Sequence, residues 1–93
     1  MNSTRLFDWH DAKSDRCQEE RGFGFDYAAR IFTGDVFERV DDRRDYGEVR
    51  IQAAGRIEGI PFMLVYTLRG SVTWILSARR MHEKEWTKWL RGL

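Results

Sequence analysis

DYGEVRIQAAGRIEGIPFMLVYTLRGSVTWILSAR, from Asp45 to Arg79, reads as three strands joined by two tight turns. From Glu48 the side chains alternate. Val49, Ile51 and Ala53 point one way and Glu48, Arg50, Gln52 and Ala54 the other, the period of two that a half-buried strand requires. Glu58-Gly59 and Arg69-Gly70 are hairpin signals, because glycine accepts the left-handed backbone of a short turn at little cost. The predicted strands, Glu48–Gln52, Phe62–Arg69 and Val72–Arg79, therefore form an antiparallel meander. Phe62, Leu64 and Tyr66 on one side of the middle strand, and Met63, Val65 and Thr67 on the other, are all uncharged, as expected of a central strand covered on both faces. Charges set into such a sheet, here Glu48, Arg50, Arg69 and Arg79, must face solvent or form a site.

Upstream of this stretch, Val36-Phe-Glu-Arg-Val40 alternates in part and predicts a further strand, joined to the meander by the charged loop Asp41–Asp45. Phe25, Ala28, Ala29 and Phe32 recur at i, i+3, i+4 and i+7, one face of a helix that Gly34 ends. A weakly amphipathic first helix is predicted from a cap at Asp8 through Asp11 to about Glu20, with Trp9, Ala12 and Cys17 inward and Gly22 and Gly24 stopping it. Downstream, Trp86, Trp89, Leu90 and Leu93 keep helical spacing, with His82, Glu83, Lys84, Lys88 and Arg91 for the wet side. The predicted fold class is α+β, with two short N-terminal helices, a four-stranded mainly antiparallel sheet and a C-terminal helix.

A chain of 93 residues supports one hydrophobic core, so residues 1–93 are expected to form a single domain. With 42% hydrophobic and 33% charged residues, six Phe, four Trp and three Tyr, the composition is that of a folded domain rather than a disordered tail. The formal charge of +1 lacks the basic excess of a non-specific nucleic-acid binder, so any polyanion site has to be local. Cys17 is the one cysteine, which excludes an intrachain disulfide and a cysteine-built metal site and fits the reducing cytoplasm. His10 and His82 are too scattered for zinc, and no metal or cofactor is expected. The longest apolar runs, such as Ile60 to Val65, fall far short of the ~20 residues that cross a bilayer. Met1 to Phe7 lacks the apolar region of an export signal, so the chain is expected to be cytoplasmic and away from membranes. The sequon Asn2-Ser3-Thr4 is then a chance match.

No GxSxG, HExxH, CxxC or phosphate-loop pattern is present, so the common nucleophilic, zinc and nucleotide-binding chemistries have no local support. The cations and carboxylates of the predicted sheet remain. Glu48 and Arg50, two apart on one strand, share a face on which a carboxylate could move a proton while a guanidinium holds a phosphate. The same spacing also suits a solvent-facing salt-bridge patch. Arg69 at a hairpin and Arg79 at the end of the last strand could close around that surface or be ordinary exposed arginines. Tyr66 could stack on a base or serve as core. Trp86 and Trp89 read as core or partner contact, and His10 and His82 as surface or capping residues near helix starts.

The order Phe7-x-Trp9-x-x-x-Lys13, Gly22-Phe23-x-Phe25-x-x-Ala28 to Phe32, Asp45-Tyr46-Gly47-Glu48-x-Arg50, Gly55-Arg56, Val65-Tyr66-Thr67, Arg69 and Ile75-x-Ser77-Ala78-Arg79 resembles the BrnT family of toxins. The resemblance runs over nearly the whole chain. It implies a RelE-like ribonuclease fold and a cytoplasmic toxin-antitoxin pair. It also implies a BrnA-like ribbon-helix-helix antitoxin that covers the toxin and alone contacts operator DNA. The implied activity is metal-independent RNA cleavage by attack of the ribose 2′-hydroxyl on the adjacent phosphate. On this sequence the implied catalytic residues are Glu48 for proton transfer and Arg50 and Arg79 for phosphate charge, with Tyr66, Arg69 and Lys13 contacting RNA. Glu20-Arg21 stand where the family usually carries Lys-His, Trp74 where an arginine is frequent, and Trp89 where tyrosine is common. The alternative function is a catalytically weakened member acting mainly as an antitoxin-binding co-repressor. A further rival is an unrelated adaptor that binds a helix on its Trp86, Trp89, Leu90 and Leu93 face.

Overall fold

The structure, a computed structural model, describes residues 5–92, so the Asn2-Ser3-Thr4 sequon and Leu93 lie outside the described residues. The elements run β1 (Leu6–Trp9), α1 (Asp11–Arg21), α2 (Phe25–Ala28) continuing as a 3-10 helix (Ala29–Thr33), β2 (Val36–Val40), β3 (Ile51–Ile57), β4 (Ile60–Arg69), β5 (Val72–Arg80) and α3 (Glu83–Leu90). The class is α+β, and the meander is as expected: β2, β3, β4 and β5 pair antiparallel in succession. The turn between β3 and β4 uses left-handed backbone at Glu58 (φ 51°) and Gly59 (φ 81°), and Gly70 (φ 61°) turns β4 into β5.

The sheet has five strands rather than four, in the order β1-β5-β4-β3-β2. The added strand, β1, lies parallel to β5, with Leu6 opposite Val72 and Trp9 opposite Ile75. Its alternation was present in the sequence, since Phe7 and Trp9 are half-buried and Leu6 and Asp8 exposed. Asp8 therefore caps no helix. Helix α1 starts instead from His10, which turns Ser14 and Cys17 inward and leaves Ala12 exposed. Its end is as expected: Gly22 adopts φ 85° and donates its N–H to the Gln18 carbonyl.

Strand β3 begins at Ile51, not at Glu48, so Glu48 and Arg50 are loop residues rather than strand residues. The loop has its own bonds, which compete with a ladder. The Asp41 carboxylate accepts two bonds from Arg43, both at 2.7 Å. It also accepts one from the Tyr46 hydroxyl at 3.4 Å. Gly47 donates its N–H to Asp45 at 2.9 Å. The Asp41 N–H on the Arg50 carbonyl, at 2.8 Å, closes the loop.

Both faces of the sheet are covered, each by its own apolar cluster. On one face α1, α2 and the 3-10 helix bring Cys17, Phe23, Phe25, Ala28 and Ile31 against Ala53, Ile57, Phe62, Leu64, Tyr66, Ile75 and Ala78. On the other, Trp86 and Trp89 of α3 join Ala54, Met63 and Met81. Leu90, expected with the tryptophans, stays 53% exposed. Gly55 of β3 lets the first layer close. A Cβ there would lie 2.9 Å from the Ile31 Cβ and 3.3 Å from the Asp35 carbonyl oxygen. Between Val65 opposite Ser77 and Tyr66 opposite Ile75, Leu76 is an extra residue that bulges β5.

Candidate active site

Alternation along the strands puts Ser77, Val65, Gln52 and Arg39 in one row across the sheet, on the side that carries Met63. The Arg79–Met63–Ala54–Phe37 row runs beside it, and α3 covers part of that row through Trp86, whose ring meets Phe37 at 5.8 Å between centroids. Past α3 the face is open. Val65, Gln52 and Trp74 are half-buried there and Ser77 is exposed.

Arginines border this strip, and each is set by a partner. Arg79, the residue opposite Met63, donates Nη1 and Nη2 to the two carboxylate oxygens of Glu85 at 2.9 and 2.6 Å. This two-pronged bond from α3 raises the Arg79 pKa, while the nearby charge of Arg43 opposes the rise. It also holds the Glu85 carboxyl below the usual carboxylate range. Arg43 is fixed by Asp41, whose side chain is 1% exposed. The Arg43 bonds lower the Asp41 pKa to about 2, against the opposing effect of burial. Arg39 lies over the Trp89 ring at 3.9 Å.

At the far end, Arg50 sits 3.3 Å from Glu48 and 4.1 Å above the Tyr46 ring. Arg69 lies 4.4 Å over Trp74. Thr67 anchors this end by donating its hydroxyl to the Val49 carbonyl at 2.8 Å. The Thr67 level is four residues along β4 from the Met63 level, about 13 Å at the rise of a strand. Glu48 and Arg50 thus lie at the Thr67 end of the sheet, away from Arg79, and Glu48 lines a recess there with Val49, Ile51, Thr67 and Leu68.

Two of the expected site residues lie elsewhere. Tyr66 is 3% exposed and points to the opposite face, where its ring meets Phe32 and its hydroxyl donates to Glu38 at 2.6 Å. Burial first, and Glu38 second, push its pKa up. Lys13 is exposed on α1, beside a recess that also takes in Arg16, Arg21 and Ser77. Asp41 and Arg43 were not singled out from sequence, and Arg21 and Glu85 drew notice only through the family resemblance, not as site residues. Asp41-x-Arg43 had a readable spacing for a local pair, whereas Arg79–Glu85 and Arg21 depend on the docking of two helices.

No group of three His, Cys, Asp or Glu side chains among the described residues could hold a metal ion. Among the same residues no helix is long and apolar enough to cross a membrane. The family model described as "Ribonuclease toxin, BrnT, of type II toxin-antitoxin system" matches residues 9–85. The chain belongs to the BrnT family. A search of the curated proteins gave no match. Membership makes this BrnT chain a member of a ribonuclease toxin family, which implies an RNA substrate and an antitoxin partner. The matched span takes in the whole open strip and ends at Glu85, the residue that holds Arg79.

Proposed function

We propose that this BrnT protein is a RelE-like endoribonuclease that needs no metal ion and cleaves RNA by attack of a ribose 2′-hydroxyl on the adjacent phosphate. The observation that carries this is the strip itself, a half-buried, largely uncharged stretch of sheet bordered by guanidiniums already held in place. A phosphate over Val65 and Gln52 is within reach of a long side chain from either end. Arg79 and Arg50 then neutralise the charge that grows on the phosphorane, and because both are oriented beforehand, little reorganisation opposes the step. Glu48 accepts the 2′-hydroxyl proton as the 2′-oxygen bonds to phosphorus, the bond from phosphorus to the 5′-oxygen breaks, and that oxygen leaves with a proton from solvent, giving a 2′,3′-cyclic phosphate. Arg69 and Lys13 contact flanking RNA, and Trp74, half-buried on the strip, offers the aromatic surface that buried Tyr66 does not.

A ribbon-helix-helix antitoxin of the BrnA kind covers the toxin and carries it to operator DNA in this reading. One observation favours the weakened, co-repressing alternative: Arg79 already commits two of its five donors to Glu85, whose negative charge stands beside any phosphate that approaches. Expression of the chain alone in a bacterial host separates the two. Growth arrest that Arg79→Ala relieves, and that coexpressed antitoxin relieves, fits the nuclease. Normal growth on wild-type expression fits the co-repressor.

A further inference from the structure

Strand β1 pairs with β5 only as far as Ile75, whereas β4 pairs with β5 through Arg80. Among the described residues, the outer edge of β5 beyond Ile75 therefore has no strand beside it, and its backbone needs other donors. Arg21 supplies one. Its Nη1 donates to the Ala78 carbonyl at 2.9 Å, and the Cys17 thiol lies 3.7 Å from the same oxygen. Arg21 is the last residue of α1, which packs on the face opposite the strip. Its side chain thus rounds the free edge of β5 and reaches the side on which Arg79 lies. There Arg21, Met63, Val65, Ser77, Ala78 and Arg79 line a shallow recess of about 90 Å³.

A guanidinium carries five N–H donors, and the Ala78 carbonyl takes up only part of that fork. The recess is small, and two of its six lining residues are arginines, which suits a phosphate group. Arg21 and Ser77 also line the neighbouring recess with Lys13, Arg16 and Glu20, so the cationic lining continues over the β5 edge onto α1. We propose that Arg21 is a second phosphate-binding residue of the RNA reaction, which with Ser77 and Arg79 grips the phosphate next to the scissile one and directs the RNA over the free edge of β5 toward Arg16 and Lys13. This rests on the reading of the open strip as an RNA-cleaving surface. The planar fork accounts for the residue type, because it can hold a carbonyl and a phosphate at once.

The test is equilibrium binding of a single-stranded RNA analogue that lacks 2′-hydroxyls and so cannot be cleaved, measured by fluorescence anisotropy over a range of salt. Wild type, Arg21→Gln and Arg30→Gln are compared. Glutamine removes the charge and keeps an N–H donor on a shorter side chain, and Arg30→Gln, over Tyr27 near Glu58, removes the same charge elsewhere. Arg21→Gln is expected to weaken binding about tenfold and to lower the slope of log Kd against log salt by roughly 0.7, the value for one lost phosphate contact on a single strand. Arg30→Gln should leave the slope unchanged. A merely structural Arg21 would leave the slope at the wild-type value, and that result overturns the assignment. Absence of analogue binding by the wild type overturns it together with the RNA reading. Binding with the expected Arg21 effect, but no cleavage of ordinary RNA by the wild type, sinks the nuclease reading and leaves the phosphate grip standing.

Discussion

Asp41 has a nearly inaccessible carboxylate on a loop of arginines, and its pKa of about 2 is a statement about stability as well as charge. A carboxyl depressed in the folded state stabilises the fold above its unfolded pKa, here near the ordinary aspartate value of 3.8, and loses that contribution as pH falls toward 2. Asp41→Asn should therefore cost about 1–2 kcal/mol at neutral pH, the upper end being discounted because Arg43 is largely exposed. The difference between variant and wild type should shrink between pH 4 and pH 2, as urea unfolding followed over that range would show. Glu85 has the same sign: the Arg79 pairing keeps it ionised, so its contribution is present at neutral pH and fades in acid. Glu85→Gln should leave Arg79 more open to phosphate and raise RNA affinity while lowering the unfolding midpoint. Unchanged affinity in a binding titration would show that the Glu85 pair does not guard Arg79. The Asp41–Arg43 pair was within reach of sequence reasoning, two residues apart in a charged loop. Tyr66 was not, because alternation says only that it shares a face with Phe62 and Leu64, not which face α3 covers.

Elements explain where the reading from sequence held and where it slipped. The meander was legible because Glu58-Gly59 and Arg69-Gly70 punctuate apolar runs of the right length, and turn chemistry is local. Strand β1 was missed because four residues beginning at Leu6 alternate too briefly to outweigh a plausible helix cap at Asp8. What makes the segment a strand is the free edge of β5, a long-range feature. Glu48 and Arg50 dropped out of β3 because Asp41, Asp45 and Gly47 bond locally and hold the chain in a loop. Glu58 adopts the left-handed backbone at φ 51°, which a β-carbon disfavours. Its 3.9 Å pair with Arg30 joins two well-exposed side chains and offsets little. Glu58→Asn should therefore stabilise the protein by roughly 0.5–1 kcal/mol in denaturant titration, and a loss of stability would contradict the turn assignment. Gly55→Ala should act in the opposite direction. Its new Cβ would press on Ile31 and the Asp35 carbonyl, so a cost of about 1–3 kcal/mol is expected from the fall in unfolding midpoint.

On the scale of the molecule, a sheet with an apolar cluster on each side leaves a stretch uncovered among the described residues, and arginines gather around it although the chain as a whole is close to neutral. Helix α3 divides that face: its tryptophans fill one half and its Glu85 poises Arg79 at the border of the other. The helical layer on the reverse face sends Arg21 around the edge of β5. RNA recognition built this way is local and electrostatic, so it should weaken steeply with salt despite the small net charge. The decisive measurement is cleavage of RNA by the purified, antitoxin-free chain in the presence of EDTA, beside Arg79→Ala of matching circular dichroism. The expected result is cleavage by the wild type that EDTA leaves unchanged and that the variant loses by roughly 100-fold or more. Intact RNA with both proteins, or equal cleavage by both, would contradict a metal-independent ribonuclease site on the open face of the sheet.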